Sequence, residues 1–299
     1  MDTASPPGPI ARKLIATLHR ARTRKVLDLQ EWKQAQRELA RIQAMGPSPE
    51  EVASLRLEHA LYVSIHNWAT AVIELIQEFP ALGKITDRIA RADEEYMPGG
   101  PPMSPLTRSF FWSWMLYDVS YGTKQETVGS ILHALAGELG FKPGFLAILA
   151  LLSESRLGLF VHEGVKKEDP ILKERVTGEV HLCICPAGYA GHRGELWLAR
   201  VLPPPAPGLR SLVFTTPYVI LEPDVEAWQR YLERTLPKTK RTKPEEAYAY
   251  LMKRGLMWNY WAEYVFEAYA GHRAEVIFLR GLPDVARSRP HSRVNSRLP

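Results

Sequence analysis

The spacing of apolar residues changes from a helical to a strand-like pattern near the middle of the chain. Up to Leu152, apolar residues recur every three or four positions between polar ones, which predicts amphipathic helices. Several of these stretches end at Pro or Gly, the residues that most often break a helix. The predicted helices cover Ile10–Met45, Leu55–Phe79, Ile85–Tyr96, Thr127–Gly140 and Phe145–Leu152. Residues 1–152 are therefore expected to form a helical region.

Between Ser153 and Pro223 apolar and polar residues alternate instead, which predicts β-strands. The predicted strands are Leu157–Gly164, Glu179–Cys185, Glu195–Leu202 and Leu212–Leu221. Because turns connect them, we expect a small antiparallel β unit or partly closed barrel over residues 153–223. Residues 224–299 are expected to add C-terminal helices, a returning strand at Glu275–Arg280 and a flexible tail. The predicted fold class is α+β, with a helical N-terminal half.

The densest aromatic segment of the chain directly follows a loop of Pro and Gly at positions 98–102. Ser104 is predicted to cap the next helix, in which Phe110, Trp114 and Tyr117 recur at helical spacing. A helix with so many aromatic residues must be largely buried. These aromatic residues are either core or one wall of a pocket beside the loop, in which Asp118 would be the acidic group.

Composition and charge narrow the class of protein. The chain has 299 residues, of which 45% are hydrophobic and 24% are charged, as in ordinary globular proteins. Its net charge is +5, but many cations lie near the termini and in the linker from Lys238 to Lys243. Nucleic-acid binding through the basic N-terminal helix and this linker is therefore only a weaker alternative.

Cysteine usage and hydropathy point to a cytoplasmic protein. The chain contains two cysteines, Cys183 and Cys185, and no second pair that would complete a zinc knuckle. No signal-peptide pattern opens the sequence, and no apolar stretch reaches membrane-spanning length. A cytoplasmic location without membrane association is expected.

The most specific signal in the sequence is a short segment that occurs twice, which we call the internal echo. The segment YAGHRGELWLARVLP at 189–203 aligns without a gap with YAGHRAEVIFLRGLP at 269–283, and nine of the fifteen positions are identical. One interpretation is that the same Gly-His-Arg turn and Glu-led strand serve the same local structural role twice, or that the match is a coincidence. A second pairs the two strands in one sheet. A third brings His192, His272, Glu195 and Glu275 together as a Zn or Mn site, with Arg193 and Arg273 facing an anionic substrate.

His162 and Glu163 are a further candidate pair of binding residues. Consecutive residues on a strand point to opposite faces, so a direct relay between these two side chains is not expected. The sequence contains no nucleophile elbow, P-loop, dinucleotide fingerprint or HExxH motif. An enzymatic function would therefore depend on scattered groups.

Three stretches of the sequence resemble uncharacterised bacterial proteins of similar length. They are EEYMPGGPPMSPLTRSFFWSW, PAGYAGHRGELWLARVLPPP with FTTPYVIL, and YVFEAYAGHRAEVIFLRGLPDVARSRPHS. This resemblance covers most of the chain from about Arg91 onward and implies no activity. More remotely, residues 156–203 are similar to the small β module that accompanies some SEC-C-type bacterial proteins. The chain has no SEC-C cysteine motif, so metal binding is not implied.

The sequence thus favours a cytoplasmic, non-catalytic binding or adaptor protein, with a protein partner more strongly expected than nucleic acid. Its recognition surface would combine the Pro/Gly loop with the two Gly-His-Arg turns. The alternative is a metal-assisted hydrolase that acts on an anionic or phosphoester substrate through His192, His272 and the nearby carboxylates.

Overall fold

The computed structural model describes residues 6–24, 56–77, 79–99, 101 and 103–285. The second half of the predicted first helix, Gly100 and Pro102 of the loop, and the tail lie outside these residues. The helices before the β region are α1 (Pro9–Arg24), α2 (Leu57–Gln77), α3 (Gly83–Tyr96), α4 (Arg108–Ser113), α5 (Val128–Ala134), α6 (Ala136–Leu139) and α7 (Pro143–Glu154). Those after it are α8 (Val225–Thr235), α9 (Pro244–Arg254) and α10 (Tyr260–Ala268). The α+β class and the helical N-terminal half are confirmed.

The described residues form eight strands, five of which close into a barrel. The strands are β1 (Leu157–Lys166), β2 (Asp169–Glu174), β3 (Val180–Ile184), β4 (Leu196–Leu202), β5 (Ser211–Val213), β6 (Tyr218–Glu222), β7 (Tyr269–Arg273) and β8 (Val276–Arg280). The barrel order is β1-β2-β3-β5-β4, and antiparallel pairing of β1 with β4 closes it. Strand β2 was not predicted, and β3 pairs with β5 in parallel, so the unit is not purely antiparallel.

The remaining strands extend one side of the barrel in the order β4-β6-β8-β7. Strand β6 lies between the two strands of the internal echo and pairs antiparallel with β4 and parallel with β8. The two echoed strands therefore share a sheet, as the second interpretation expected, without being direct neighbours. Because they run in opposite directions, Leu196 at the start of β4 is level with Leu279 near the end of β8.

The aromatic segment after the Pro/Gly loop is core and changes its helical geometry. Thr107, rather than Ser104, caps α4, because its side chain accepts a hydrogen bond from the Phe110 amide at 3.3 Å. At Trp114 the helix widens into one π-helical turn that ends at Asp118. Such a turn inserts an extra residue into the helical repeat and is often found at functional sites.

The larger hydrophobic core joins the helices to one face of the barrel strands and includes residues from all three predicted regions, whereas a second, smaller core holds residues of the opposite face, such as Phe160 and Trp197. The division of the chain into separate units at residues 152 and 223 stays a prediction. Within the described ranges, no helix combines the length and the apolar character needed to cross a bilayer.

Candidate functional site

Asp118 is the centre of a buried ionic cluster where the helices meet the barrel. The π-helical turn carries its side chain inward, next to Arg200 of β4. Its Oδ2 atom accepts a hydrogen bond from Arg200, and its Oδ1 atom lies 3.5 Å from Nζ of Lys253. The backbone carbonyl of Asp118 accepts a further hydrogen bond from the Arg254 guanidinium. We call Asp118, Arg200, Lys253 and Arg254 the Asp118 cluster.

The cations of this cluster also bind the carboxyl end of helix α7. Nζ of Lys253 donates to the carbonyls of Ser153 and Ser155 at 2.6 and 2.7 Å. Arg200 donates to the Ser155 carbonyl at 2.8 Å and to its hydroxyl at 2.7 Å. Cations are favoured at this end of a helix, where backbone carbonyls lack partners. The cluster therefore joins α7, α9, β4 and the π-helical turn.

Positive charge exceeds negative charge in the Asp118 cluster, since it contains three cations and one carboxylate. The pKa of Lys253 is lowered to about 8, mainly by burial and also by the neighbouring Arg200 and Arg254, while Asp118 opposes this shift. Burial also lowers the pKa of Arg254. A further anion beside Lys253 or Arg254 would therefore be favoured electrostatically.

The space beside Asp118 is too small for a substrate. The enclosed cavity measures about 10 Å³, which is at the lower limit for one water molecule, whereas ligand pockets usually measure hundreds of cubic ångströms. Trp114 and Trp258 close it, with stacked rings whose centroids are 5.4 Å apart. The Nε1 atom of Trp114 donates to the Trp258 carbonyl at 2.9 Å. Asp118 is thus a structural carboxylate in a closed cavity rather than an accessible pocket residue.

The loop between α9 and α10 carries Trp258, which closes this cavity, and it exposes three consecutive large apolar side chains. Leu256, Met257 and Trp258 are 41%, 58% and 39% exposed. Gly255 starts the loop at a φ of +65°, and a Cβ atom there would lie 2.3 Å from Cβ of Tyr260, so a larger residue would displace the loop. The guanidinium of Arg88 lies 4.4 Å from the ring centre of Trp258. We call these three apolar residues and Arg88 the Trp258 surface.

The Pro/Gly loop begins beside the Trp258 surface. Tyr96, the last residue of α3, contacts the ring of Trp258 edge-on with a centroid distance of 6.5 Å. At the other end of the loop, the Ser104 hydroxyl donates a hydrogen bond to the Tyr96 carbonyl, so both ends of the loop lie at Tyr96. Between them, Met103 is 69% exposed. The loop and the Trp258 surface therefore meet at Tyr96.

A larger cleft lies on the other side of Lys253 and Arg254. It has a volume of about 380 Å³ and is lined by Glu154, Arg156, Arg241, Glu246, Ala249, Tyr250, Lys253 and Arg254. The Arg241 guanidinium lies 4.7 Å from the ring centre of Tyr250. We call this the Arg241 cleft. Arg241 belongs to the basic linker that the sequence marked as a weaker nucleic-acid candidate.

The first Gly-His-Arg segment forms a turn before β4. His192 and Arg193 are exposed on this turn. Glu195 instead accepts hydrogen bonds from the Tyr189 hydroxyl at 2.8 Å and from Nε1 of Trp197 at 2.9 Å. Glu195 thus orients two aromatic residues, and both of its carboxylate oxygens are already hydrogen-bonded.

The second segment has a different local structure, because Tyr269–Arg273 is strand β7. His272 is exposed and its Nδ1 atom lies 2.6 Å from the Tyr269 hydroxyl, while Arg273 lies over the ring of Phe278. Arg273 and Glu275 reach far enough to act electrostatically on Tyr189 of the first copy. The interpretation that one local structure occurs twice is therefore wrong for the Gly-His-Arg parts and holds only for the strands that follow.

The four proposed metal ligands do not form a metal-binding group. The described part of the chain contains no group of three or more His, Cys, Asp or Glu side chains that could hold a metal ion. All four proposed ligands, His192, His272, Glu195 and Glu275, belong to the described residues. They do not form the Zn or Mn site of the third interpretation, since the two echoed strands run in opposite directions on either side of β6.

His162 has a structural role in the barrel. Its side chain is buried, and its Nε2 atom lies 2.8 Å from the Ala190 carbonyl. Its Nδ1 atom accepts a hydrogen bond from the Gly164 amide at 3.2 Å, which leaves Nε2 as the ring nitrogen that donates to Ala190. Glu163 is half-buried on the same strand and makes no contact with His162 that would form a relay.

Sequence reasoning missed the partners of Asp118 and the Arg241 cleft. Arg200 lies in the first copy of the echo, and a guanidinium inside the apolar run LWLARVL is itself a signal. A charged residue in a buried strand requires a buried partner. Which acid supplies that partner depends on packing, because Asp118 is 82 positions away along the chain.

Comparisons of the chain with protein-family models, curated proteins and solved structures gave no match. The resemblance to bacterial proteins of similar length therefore stays a prediction. Functional inference depends on the residues of the site itself.

Proposed function

We propose that this protein is a cytoplasmic, non-catalytic adaptor that holds a partner protein on the Trp258 surface. The observation that carries the proposal is the run of three exposed large apolar side chains at Leu256, Met257 and Trp258. Large apolar patches on soluble proteins often mark interaction sites, and Trp and Arg are enriched among the residues that dominate binding energy.

The base of this surface is rigid, which supports its use in recognition. Trp258 is held by stacking on Trp114 and by the hydrogen bond from that residue to its carbonyl. A preorganised anchor loses little conformational entropy on binding. The adjacent Met103 would extend the apolar contact along the Pro/Gly loop.

Arg88 indicates which chemical groups the expected partner should carry. Among the described residues its guanidinium contacts the rings of Tyr121 and Trp258 rather than a carboxylate. A partner segment with apolar side chains over Met257 and an acidic side chain beside Arg88 would complement both features. The Gly-His-Arg segments are not part of this proposed surface.

Photo-cross-linking from two matched positions tests the proposal. A cross-linking phenylalanine analogue would replace Met257 or, as the control, Val180 on the barrel, because these residues are 58% and 59% exposed. The partner identified from Met257 would then be purified and its affinity measured for Met257→Lys and Val180→Lys. We expect Met257→Lys alone to weaken binding by about tenfold or more.

Three results would contradict this function. Equal cross-linking from both positions would mean that the contacts are non-specific. Unchanged affinity of Met257→Lys would show that the partner binds elsewhere. Cross-links to a second copy of the chain alone would replace the adaptor role by self-association.

A further inference from the structure

The Arg241 cleft is separate from the Trp258 surface and is built largely from one face of helix α9. Ala249 and Tyr250 follow Glu246 by three and four residues, and Lys253 and Arg254 follow them one turn later, which places all five residues on the same side of the helix. The end of α7 and the start of β1 form the opposite wall, and the linker before α9 contributes Arg241. The small side chain of Ala249 leaves the middle of the cleft open.

Cations outnumber carboxylates in the lining of this cleft. Its charged residues are four cations, Arg156, Arg241, Lys253 and Arg254, and two acids, Glu154 and Glu246. Glu246 is paired with Lys243, outside the cleft, at 2.8 Å. Of the four cations, Arg156 is already neutralised, because it donates to both oxygens of Glu174 at 2.5 and 2.9 Å.

The other three cations keep a net positive charge toward a ligand. In the Asp118 cluster, Arg200 and Lys253 contact the carboxylate, whereas Arg254 donates to the backbone carbonyl of Asp118, so one carboxylate offsets three cations. Arg241 is exposed, and among the described residues its guanidinium lies over the ring of Tyr250 rather than beside an acid. Stacking holds a guanidinium in place without using the hydrogen-bond donors along its edge.

We propose that the Arg241 cleft binds a small organic anion, with a phosphate or carboxylate group between Arg241 and the Lys253–Arg254 end of α9. The guanidinium edge of Arg241 binds two oxygens of such a group at once. Tyr250 supplies the apolar wall against which the remainder of the ligand packs. The volume of about 380 Å³ suits a metabolite-sized molecule and lies within the range of known ligand pockets.

Titration calorimetry of the full chain with pyrophosphate and with citrate tests this site and separates the two ligand chemistries. Arg241→Gln is the informative variant, because Arg241 is exposed and its loss should leave the fold intact. Lys238→Gln is the matched control, since it removes one exposed cation from the same linker without touching the cleft. Thermal unfolding of both variants verifies that each is folded.

We expect saturable binding of one equivalent of at least one probe, weakened by about tenfold or more in Arg241→Gln and changed by less than about twofold in Lys238→Gln. Tighter binding of pyrophosphate or of citrate would assign the site to phosphates or to carboxylates. Equal weakening by the two variants would reduce the effect to general charge attraction and overturn the proposal. Absence of binding to both probes would also overturn it.

Met257→Lys distinguishes this site from the adaptor surface. The substitution lies outside the lining of the Arg241 cleft, so it should leave anion binding unchanged. A loss of anion binding in Met257→Lys would contradict the separation of the two sites.

Discussion

Replacement of Asp118 by Asn should strongly destabilise the protein. The substitution keeps the shape of the side chain but removes the only carboxylate of the Asp118 cluster, which leaves the cations Arg200, Lys253 and Arg254 without compensation. Arg200 is only 1% exposed, so water cannot take over the role of the lost carboxylate. Removing one partner of a buried ion pair typically costs about 3–5 kcal/mol, and we expect a loss of this size in the free energy of unfolding.

The expected loss is consistent with the geometry of the cluster. Two opposite unit charges about 4 Å apart attract each other by about 4 kcal/mol at an effective dielectric constant of about 20, the value that reproduces measured ion-pair energies in proteins best. Asp118 makes one direct contact with Arg200 and a second with Lys253 at 3.5 Å. Desolvation of the carboxylate offsets part of this attraction, which keeps the expected net effect near that of a single pair.

Urea unfolding followed by tryptophan fluorescence measures this loss, with Asp284→Asn as the control. Asp284 also pairs with an arginine, at 2.6 Å from Nε of Arg234, but that arginine is 43% exposed. Surface pairs contribute about 0–1 kcal/mol, so the control should change little. If Asp118→Asn lost no more stability than Asp284→Asn, the buried cluster would not hold the helices to the barrel.

Two further predictions concern the attachment of helix α1 and the titration of Lys253. The Glu126 carboxylate accepts hydrogen bonds from the Ile10 and Ala11 amides, each at 2.9 Å, and so caps α1. Glu126→Ala should therefore lower the free energy of unfolding by about 0.5–2 kcal/mol and speed hydrogen exchange in α1. Unchanged exchange in α1 would contradict this cap. The pKa of Lys253 is lowered to about 8 from 10.5, so between these values the unfolded chain binds a proton that the folded chain does not. The free energy of unfolding should therefore rise with pH in this window more steeply in the wild type than in Lys253→Met, and equal slopes in urea unfolding would refute the assignment.

The sequence by itself determined most of the secondary structure and the fold class. Helical spacing predicted α2 and α3 close to their observed ends, and alternation predicted β1, β3 and β4. These patterns are local, because a helix or strand repeats one face within a few residues. The predictions failed where the pattern was ambiguous: β2 follows a charged turn, and β7 lay in a segment that was assigned to a turn because of its Gly.

The candidate sites depended on tertiary structure. The sequence marked Asp118, Glu195 and His162, but packing assigned each of them to a buried structural contact. The two Gly-His-Arg segments have the same residues and different backbones, since one precedes a barrel strand and the other pairs within a hairpin. The Asp118–Arg200 pair and the Arg241 cleft each combine residues that are many tens of positions apart. The apolar periodicity of a segment decides whether a side chain faces inward. Which group that side chain contacts depends on how the barrel closes and where the helices pack against the barrel.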